Sequence, residues 1–127
     1  MTDLEVEKTQ STPAIKADSA EGVLKMEGDS YPENSFEFFN PVIDWVRQQL
    51  TEASHPVRVE LRLIYLNTSS VRAMLDIFDM LEAAHGRGVD VGVVWYYDSR
   101  NHRVADLAEE FKEDCTLSFE ITAEEPA

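Results

Sequence analysis

Residues 57–85 read VRVELRLIYL NTSS VRAMLDIFDMLEAAH, and a change of period inside them decides the fold. From Val57 to Leu63 apolar and charged residues alternate with period two, and Ile64-Tyr65-Leu66 is then continuously apolar. This is a strand, expected to be half solvated at its start and buried toward its end. A strand that turns fully apolar just before a helix is expected near the middle of a sheet. From Val71 onward, Met74, Leu75, Phe78 and Leu81 recur at helical spacing, and the helix runs to His85. Gly86 supplies a left-handed stop. Between the two elements lies Asn67, followed by three successive hydroxyl residues, Thr68, Ser69 and Ser70, at the positive end of the helix.

The same two periods recur on both sides. Upstream, Pro13–Lys16 and Val23–Met26 are short apolar runs around Asp18-Ser19-Ala20-Glu21-Gly22. They form a β-hairpin whose second strand extends toward Tyr31. Phe38, Phe39, Val42, Ile43, Val46 and Leu50 then follow helical spacing. Either Asn40 caps this helix with Pro41 at its first position, or Asn34 or Ser35 caps a longer helix that Pro41 kinks. The phenylalanines favour the longer helix, and Ala53-Ser54-His55-Pro56 ends it. Downstream, Val89–Tyr96 is a strand and Asp98–His102 a loop. Val104, Leu107, Ala108 and Phe111 mark a third helix, and Thr116–Ile121 alternates as a last strand.

The order is β-β-α-β-α-β-α-β. A hairpin needs antiparallel neighbours, and strand–helix–strand crossovers need parallel ones. The expected fold is one α/β domain with a mixed β-sheet and its helices mainly on one face. Residues 1–12 are expected as a mobile N-terminal arm, 13–122 as the domain, and 123–127 as an acidic tail.

Charge narrows the function. The 127 residues carry 25 acidic and 11 basic side chains, a net charge of −14. Nucleic-acid binding depends on neutralising phosphates, so no DNA or RNA partner is expected. An anionic membrane surface is disfavoured for the same reason, whereas a partner with a basic face suits the charge. No apolar stretch approaches the ~20 residues that span a bilayer, the N-terminus lacks an apolar signal region, and Cys115 is the single cysteine. A cytoplasmic protein is expected.

Residues for chemistry are sparse. His55, His85 and His102 lack metal-site spacing. Cys115 has no Cys-x-x-Cys partner, and Glu109-Glu110 with Glu113-Asp114 reads as a solvated helix face. No phosphate-cradling glycine loop occurs. The chain is expected to be no enzyme and to hold no cofactor or metal.

Two features stand out, each with two readings. Thr68 is either a helix cap, worth roughly 0.5–2 kcal/mol, or a phosphoacceptor whose new charge the helix end would accommodate. No Glu or Gln three residues on completes a capping box. The second helix carries two apolar stripes. Val71, Met74, Leu75, Phe78 and Leu81 form one; Ala73, Ile77, Met80 and Ala84 form the other. The second stripe either packs on a neighbouring helix or is a partner-binding face beginning one turn from Thr68.

Several segments resemble the SiaC family of bacterial regulatory phosphoproteins: Gly28-Asp29-Ser30-Tyr31-Pro32-Glu33-Asn34-Ser35; Leu61–Leu66 running into Asn67-Thr68-Ser69-Ser70; Tyr97-Asp98; and Ala108-Glu109-Glu110-Phe111. The resemblance implies a fold similar to STAS domains, the anti-sigma-factor antagonists, and implies that Thr68 is the phosphoacceptor. It implies a SiaB-like serine/threonine kinase that modifies Thr68 and a SiaA-like, PP2C-like phosphatase that reverses it. It further implies that the unmodified form activates a SiaD-like diguanylate cyclase, raising cyclic di-GMP and favouring biofilm or aggregation. Asn67, Ser69 and Ser70 would shape the junction, and Ala73, Ile77 and Met80 would share its docking surface. The alternative is an anti-sigma-factor antagonist acting on transcription.

Overall fold

The computed structural model describes residues 3–52 and 55–125. Its elements are β1 (Leu4–Val6), β2 (Ala14–Asp18), β3 (Val23–Ser30), α1 (Ser35–Glu52), β4 (Val57–Leu66), α2 (Thr68–Gly86), β5 (Val91–Asp98), α3 (His102–Glu113) and β6 (Ser118–Glu124). Strands lie in the sheet in the order in which they occur in the chain. β1, β2 and β3 pair antiparallel, and β3, β4, β5 and β6 pair parallel. Each crossover steps the same way along the sheet, and right-handed crossovers that do so put all their helices on one face. The mixed α/β sheet expected from the sequence is what forms.

Register makes the covered face continuous. Ala17, Leu24, Val59, Val93 and Phe119 share one row, and Ile15, Met26, Leu61, Trp95 and Ile121 the next. With Phe39, Val46, Met74, Ile77, Leu81 and Ala108 from the helices, these rows build the core. Burial of such side chains contributes about 1.5–3 kcal/mol each. The other face carries Lys25, Glu60, Val94 and Glu120 in one row. There the Arg62 guanidinium lies 4.2 Å over the Tyr96 ring and donates to both Glu124 oxygens, at 3.0 and 3.3 Å.

The structure bears out one expectation and revises others. First, Leu4–Val6, within the stretch read as a mobile arm, pairs with Ala17, Lys16 and Ile15 of β2. Leu4 packs against the core, and Asp3 accepts the Trp45 indole N–H at 2.9 Å. Hydrogen bonds from Ser19 and Trp45 hold the Asp3 carboxyl below its usual range. Second, Ala123 and Glu124, read as tail, belong to β6 opposite Tyr97 and Asp98. The longer helix that the phenylalanines favoured is the one that forms, and α1 contains Pro41. Asn34 caps it, its side-chain oxygen accepting the Glu37 N–H at 3.0 Å while its amide group donates to Glu37 at 3.4 Å.

Third, the end of β4 is not continuously buried: Leu66 is, but Ile64 and Tyr65 are each 54% exposed. Gly28 faces Leu63, but Ser30 faces Leu66. Three steps on β4 therefore oppose two on β3, a bulge that turns two successive side chains outward. Gly28 makes this possible with φ +119°, a backbone state that L side chains rarely adopt. Residues 1–2 of the expected arm, Ala53-Ser54 of the expected helix stop, and residues 126–127 of the tail lie outside the described residues.

A carboxylate fastens α2 to the last strand. Glu82 accepts the Thr116 N–H at 2.8 Å, the Thr116 hydroxyl, and the Leu117 N–H at 3.1 Å. The Thr116 hydroxyl, then its N–H, hold the Glu82 carboxyl below the ordinary value of 4.5. The folded-state pKa lies below the unfolded one, so this stabilisation is complete above 4.5 and is lost as pH falls through the folded-state value. In urea titrations from neutral to acid pH, Glu82→Gln is expected to lose less stability than wild type. Parallel loss in both proteins would refute this role.

Candidate functional site

The β4–α2 junction is built from two distant segments. Asn67 caps α2 with extended backbone, φ −73° and ψ 172°. Its side-chain oxygen accepts the Ser70 N–H at 2.9 Å and the Ser69 hydroxyl at 3.2 Å. Its own N–H donates to the Ser30 carbonyl at 3.0 Å, and its carbonyl accepts the Val71 N–H at 2.9 Å. The cap is therefore Asn67. Thr68, for which capping was one reading, is the first residue of the helix.

The three hydroxyls have different surroundings. Ser70 is fully buried, and its oxygen lies 2.8 Å from that of Ser30. Ser69 is exposed but engaged. With its proton directed to Asn67, it accepts the Ser35 hydroxyl at 2.7 Å. Thr68 is exposed, and its hydroxyl has no hydrogen-bond partner among the described residues. A charge placed there meets the positive end of the α2 dipole.

Beside Thr68, α1 and α2 enclose a cavity of about 720 Å³. Its apolar wall is Phe36, Phe39, Ile43 and Ala73; Thr68, Ser69, Arg72 and Asp76 stand at its polar side. Phe36 is 78% exposed, a large ring left in water at the mouth. Tyr31 and Tyr65, both exposed, meet edge to face at 6.0 Å.

The expected docking stripe is only partly placed here. Ala73, 7% exposed, lines the cavity, but Ile77 is 0% exposed and lies in the core, and Met80 packs against that core. The stripe packs inside the domain because α1 covers it, as the other sequence reading had it. Burial, reinforced by Glu82 and Asp114, pushes the Cys115 thiol up.

Sequence comparison identifies the family. The model of the SiaC family regulatory phosphoproteins matches residues 6–124. The chain belongs to the SiaC family. A curated relative, an uncharacterized protein of Pseudomonas aeruginosa strain UCBPP-PA14, is 57% identical over 123 residues, covering 97% of this chain and 98% of the relative. The structure is similar to SiaC of Pseudomonas aeruginosa, with TM-score 0.91 and 55% identity over 98% of this chain and all of that one. It is also similar to SiaC solved in complex with the diguanylate cyclase SiaD, which that SiaC activates. There the TM-score is 0.94 and identity 56%, over 96% of this chain and 100% of the other.

The SiaC-like motifs are the two halves of this junction. In the first, Gly28 forms the bulge, Ser30 holds Ser70, Asn34 caps α1 and Ser35 holds Ser69. The roles of Ser30, Ser35 and Phe36 were not read from the sequence. The one available signal was that both motifs are dense in residues that serve turns and caps.

Proposed function

We propose that this chain is a non-enzymatic phospho-switch. A SiaB-like serine/threonine kinase phosphorylates Thr68 and a SiaA-like, PP2C-like phosphatase removes the group. The unmodified form binds and activates a SiaD-like diguanylate cyclase, which sets cyclic di-GMP and hence biofilm or aggregation. One observation carries this reading. Of the three junction hydroxyls, Thr68 alone is exposed without a hydrogen-bond partner among the described residues, beside an apolar cavity. Ser70 and Ser69 are withheld by burial and by hydrogen bonds. The solved complex of a 56% identical SiaC with SiaD favours a cyclase as partner over a sigma pathway.

The docking surface in this reading is the mouth of the cavity: Phe36, Thr68, Ser69 and Arg72, with Ala73 on the wall. Asn67 and Ser70 hold its backbone. Phe36 is the natural anchor, since an exposed aromatic ring gains most from a partner's pocket. A phosphate of ~−1.5 to −2 charges at its edge opposes docking by bulk and by desolvation cost.

The test uses protein from the native host. Intact mass is expected to show a phosphate on wild type and none on Thr68→Ala. Thr68→Ala is expected to activate the cyclase and Thr68→Asp to lose roughly tenfold or more, the equivalent of ~1.4 kcal/mol of binding. Phosphate persisting on Thr68→Ala would overturn the assignment.

A further inference from the structure

Arg72 follows Thr68 by one helical turn and lines the same cavity. It is the only Lys or Arg among the described residues that do so. Its side chain is 80% exposed, and its Nε stands 3.8 Å from Asp76, a loose contact at the limit of an ion pair. That pair also runs in the weaker order. Along a helix, an acid four residues before a base is favoured over the reverse, and here the base comes first. A phosphate on Thr68 would stand four residues before Arg72, in the favoured order. It would offer more charge than one carboxylate and a geometry that guanidinium meets with two parallel hydrogen bonds.

We infer that Arg72 is the residue that reads the modification: when Thr68 is phosphorylated, Arg72 leaves Asp76 and clamps the phosphate across the mouth of the α1–α2 cavity. The inference rests on Thr68 being the phosphoacceptor. The clamp removes Phe39, Ile43 and Ala73 from a partner's reach, so modification closes the docking site as well as charging it. Arg72 thus has two partners in two states. Asp76 holds it aside when the cavity is open, and the phosphate holds it when the cavity is shut. Losing Asp76 costs little, because an exposed ion pair is weak.

The test uses the full chain with phosphothreonine placed at position 68 by chemical ligation, so no kinase is needed. Phosphorus NMR follows the second ionisation of the phosphate in wild type, Arg72→Gln, Arg72→Lys and Asp76→Asn. The phosphate pKa is expected to lie roughly one unit lower in wild type than in Arg72→Gln. Asp76→Asn should keep the low value and Arg72→Lys recover part of it. Equal pKa in wild type and Arg72→Gln would overturn the clamp. In cyclase binding, the loss of affinity on phosphorylation is expected to be several-fold smaller in Arg72→Gln than in wild type, each referred to its own unmodified form. Equal losses would overturn closure of the mouth even with the pKa difference present. Phosphorylated wild type that activates the cyclase as well as unmodified protein would instead overturn the switch itself, whatever the phosphate pKa shows.

Discussion

Ile77→Asp is expected to unfold the domain, not merely to strip it of a partner. Ile77 is 0% exposed and belongs to the same core as Phe39, Met74 and Leu81. The substitution removes a buried branched side chain, which costs roughly 2–5 kcal/mol when only a cavity is left behind. It also places a carboxyl where no donor awaits it, adding several kcal/mol more or forcing the group to stay protonated. Against a total stability of about 5–15 kcal/mol, the sum removes most or all of the fold. Urea titration followed by far-UV circular dichroism checks it: the midpoint is expected to collapse, or the spectrum to be unfolded without urea. Arg72→Asp is the matched control, since that side chain is 80% exposed and surface changes usually stay within about 0.5 kcal/mol. An Ile77→Asp protein of near wild-type stability would show that the α1–α2 contact is dispensable. The stripe would then return as a docking face.

Ile77 also shows where sequence reading stops. Period 3.6 identifies α2 and its apolar positions, but periodicity cannot say which of two apolar stripes meets solvent. That depends on where α1 lies, and α1 reaches α2 only through the β3–β4 crossover. The mixed sheet was legible because a hairpin needs antiparallel neighbours and strand–helix–strand crossovers need parallel ones. The end of β4 was not. A continuous run such as Ile64-Tyr65-Leu66 suggests burial, whereas the bulge opposite Gly28 turns two of those residues outward. β1 was missed because Leu4–Val6 is too short to show a period, and only its pairing with β2 reveals it. Thr68 was found through its place at a strand–helix junction. Asn67, read beside it, proved to be the cap. What singles out Thr68 from Ser69 and Ser70 is the presence of Ser30 and Ser35 across the junction, a juxtaposition made by folding.

That juxtaposition predicts a strong, non-additive pair. Ser30 and Ser70 are each 0% exposed, and their hydroxyl oxygens lie 2.8 Å apart. Among the described residues, no buried side-chain polar atom is left unpartnered. Ser70→Ala breaks that rule by leaving the Ser30 hydroxyl buried with nothing to meet. Such a group costs about 1–3 kcal/mol, and Ser30→Ala does the same to Ser70. The double substitution removes both polar groups, so its cost is expected to fall well below the sum of the singles. The coupling should be about 1–2 kcal/mol, within the range for residues in contact. Ser35→Ala is expected to behave differently, because Ser69 keeps its bond to Asn67 and lies at the surface. Its loss is expected below about 1 kcal/mol and without a comparable coupling. Thermal and urea denaturation of the single and double variants decides the matter. Additive losses at Ser30 and Ser70 would mean that water or a local shift satisfies the orphaned hydroxyl. Ser70 would then be within reach of solvent, and burial would no longer favour Thr68 over Ser70 as the proposed phosphoacceptor. A large coupling would instead tie stability and selectivity to one hydrogen bond: the contact that fixes the start of α2 would also keep Ser70 from competing with Thr68 as the proposed phosphoacceptor.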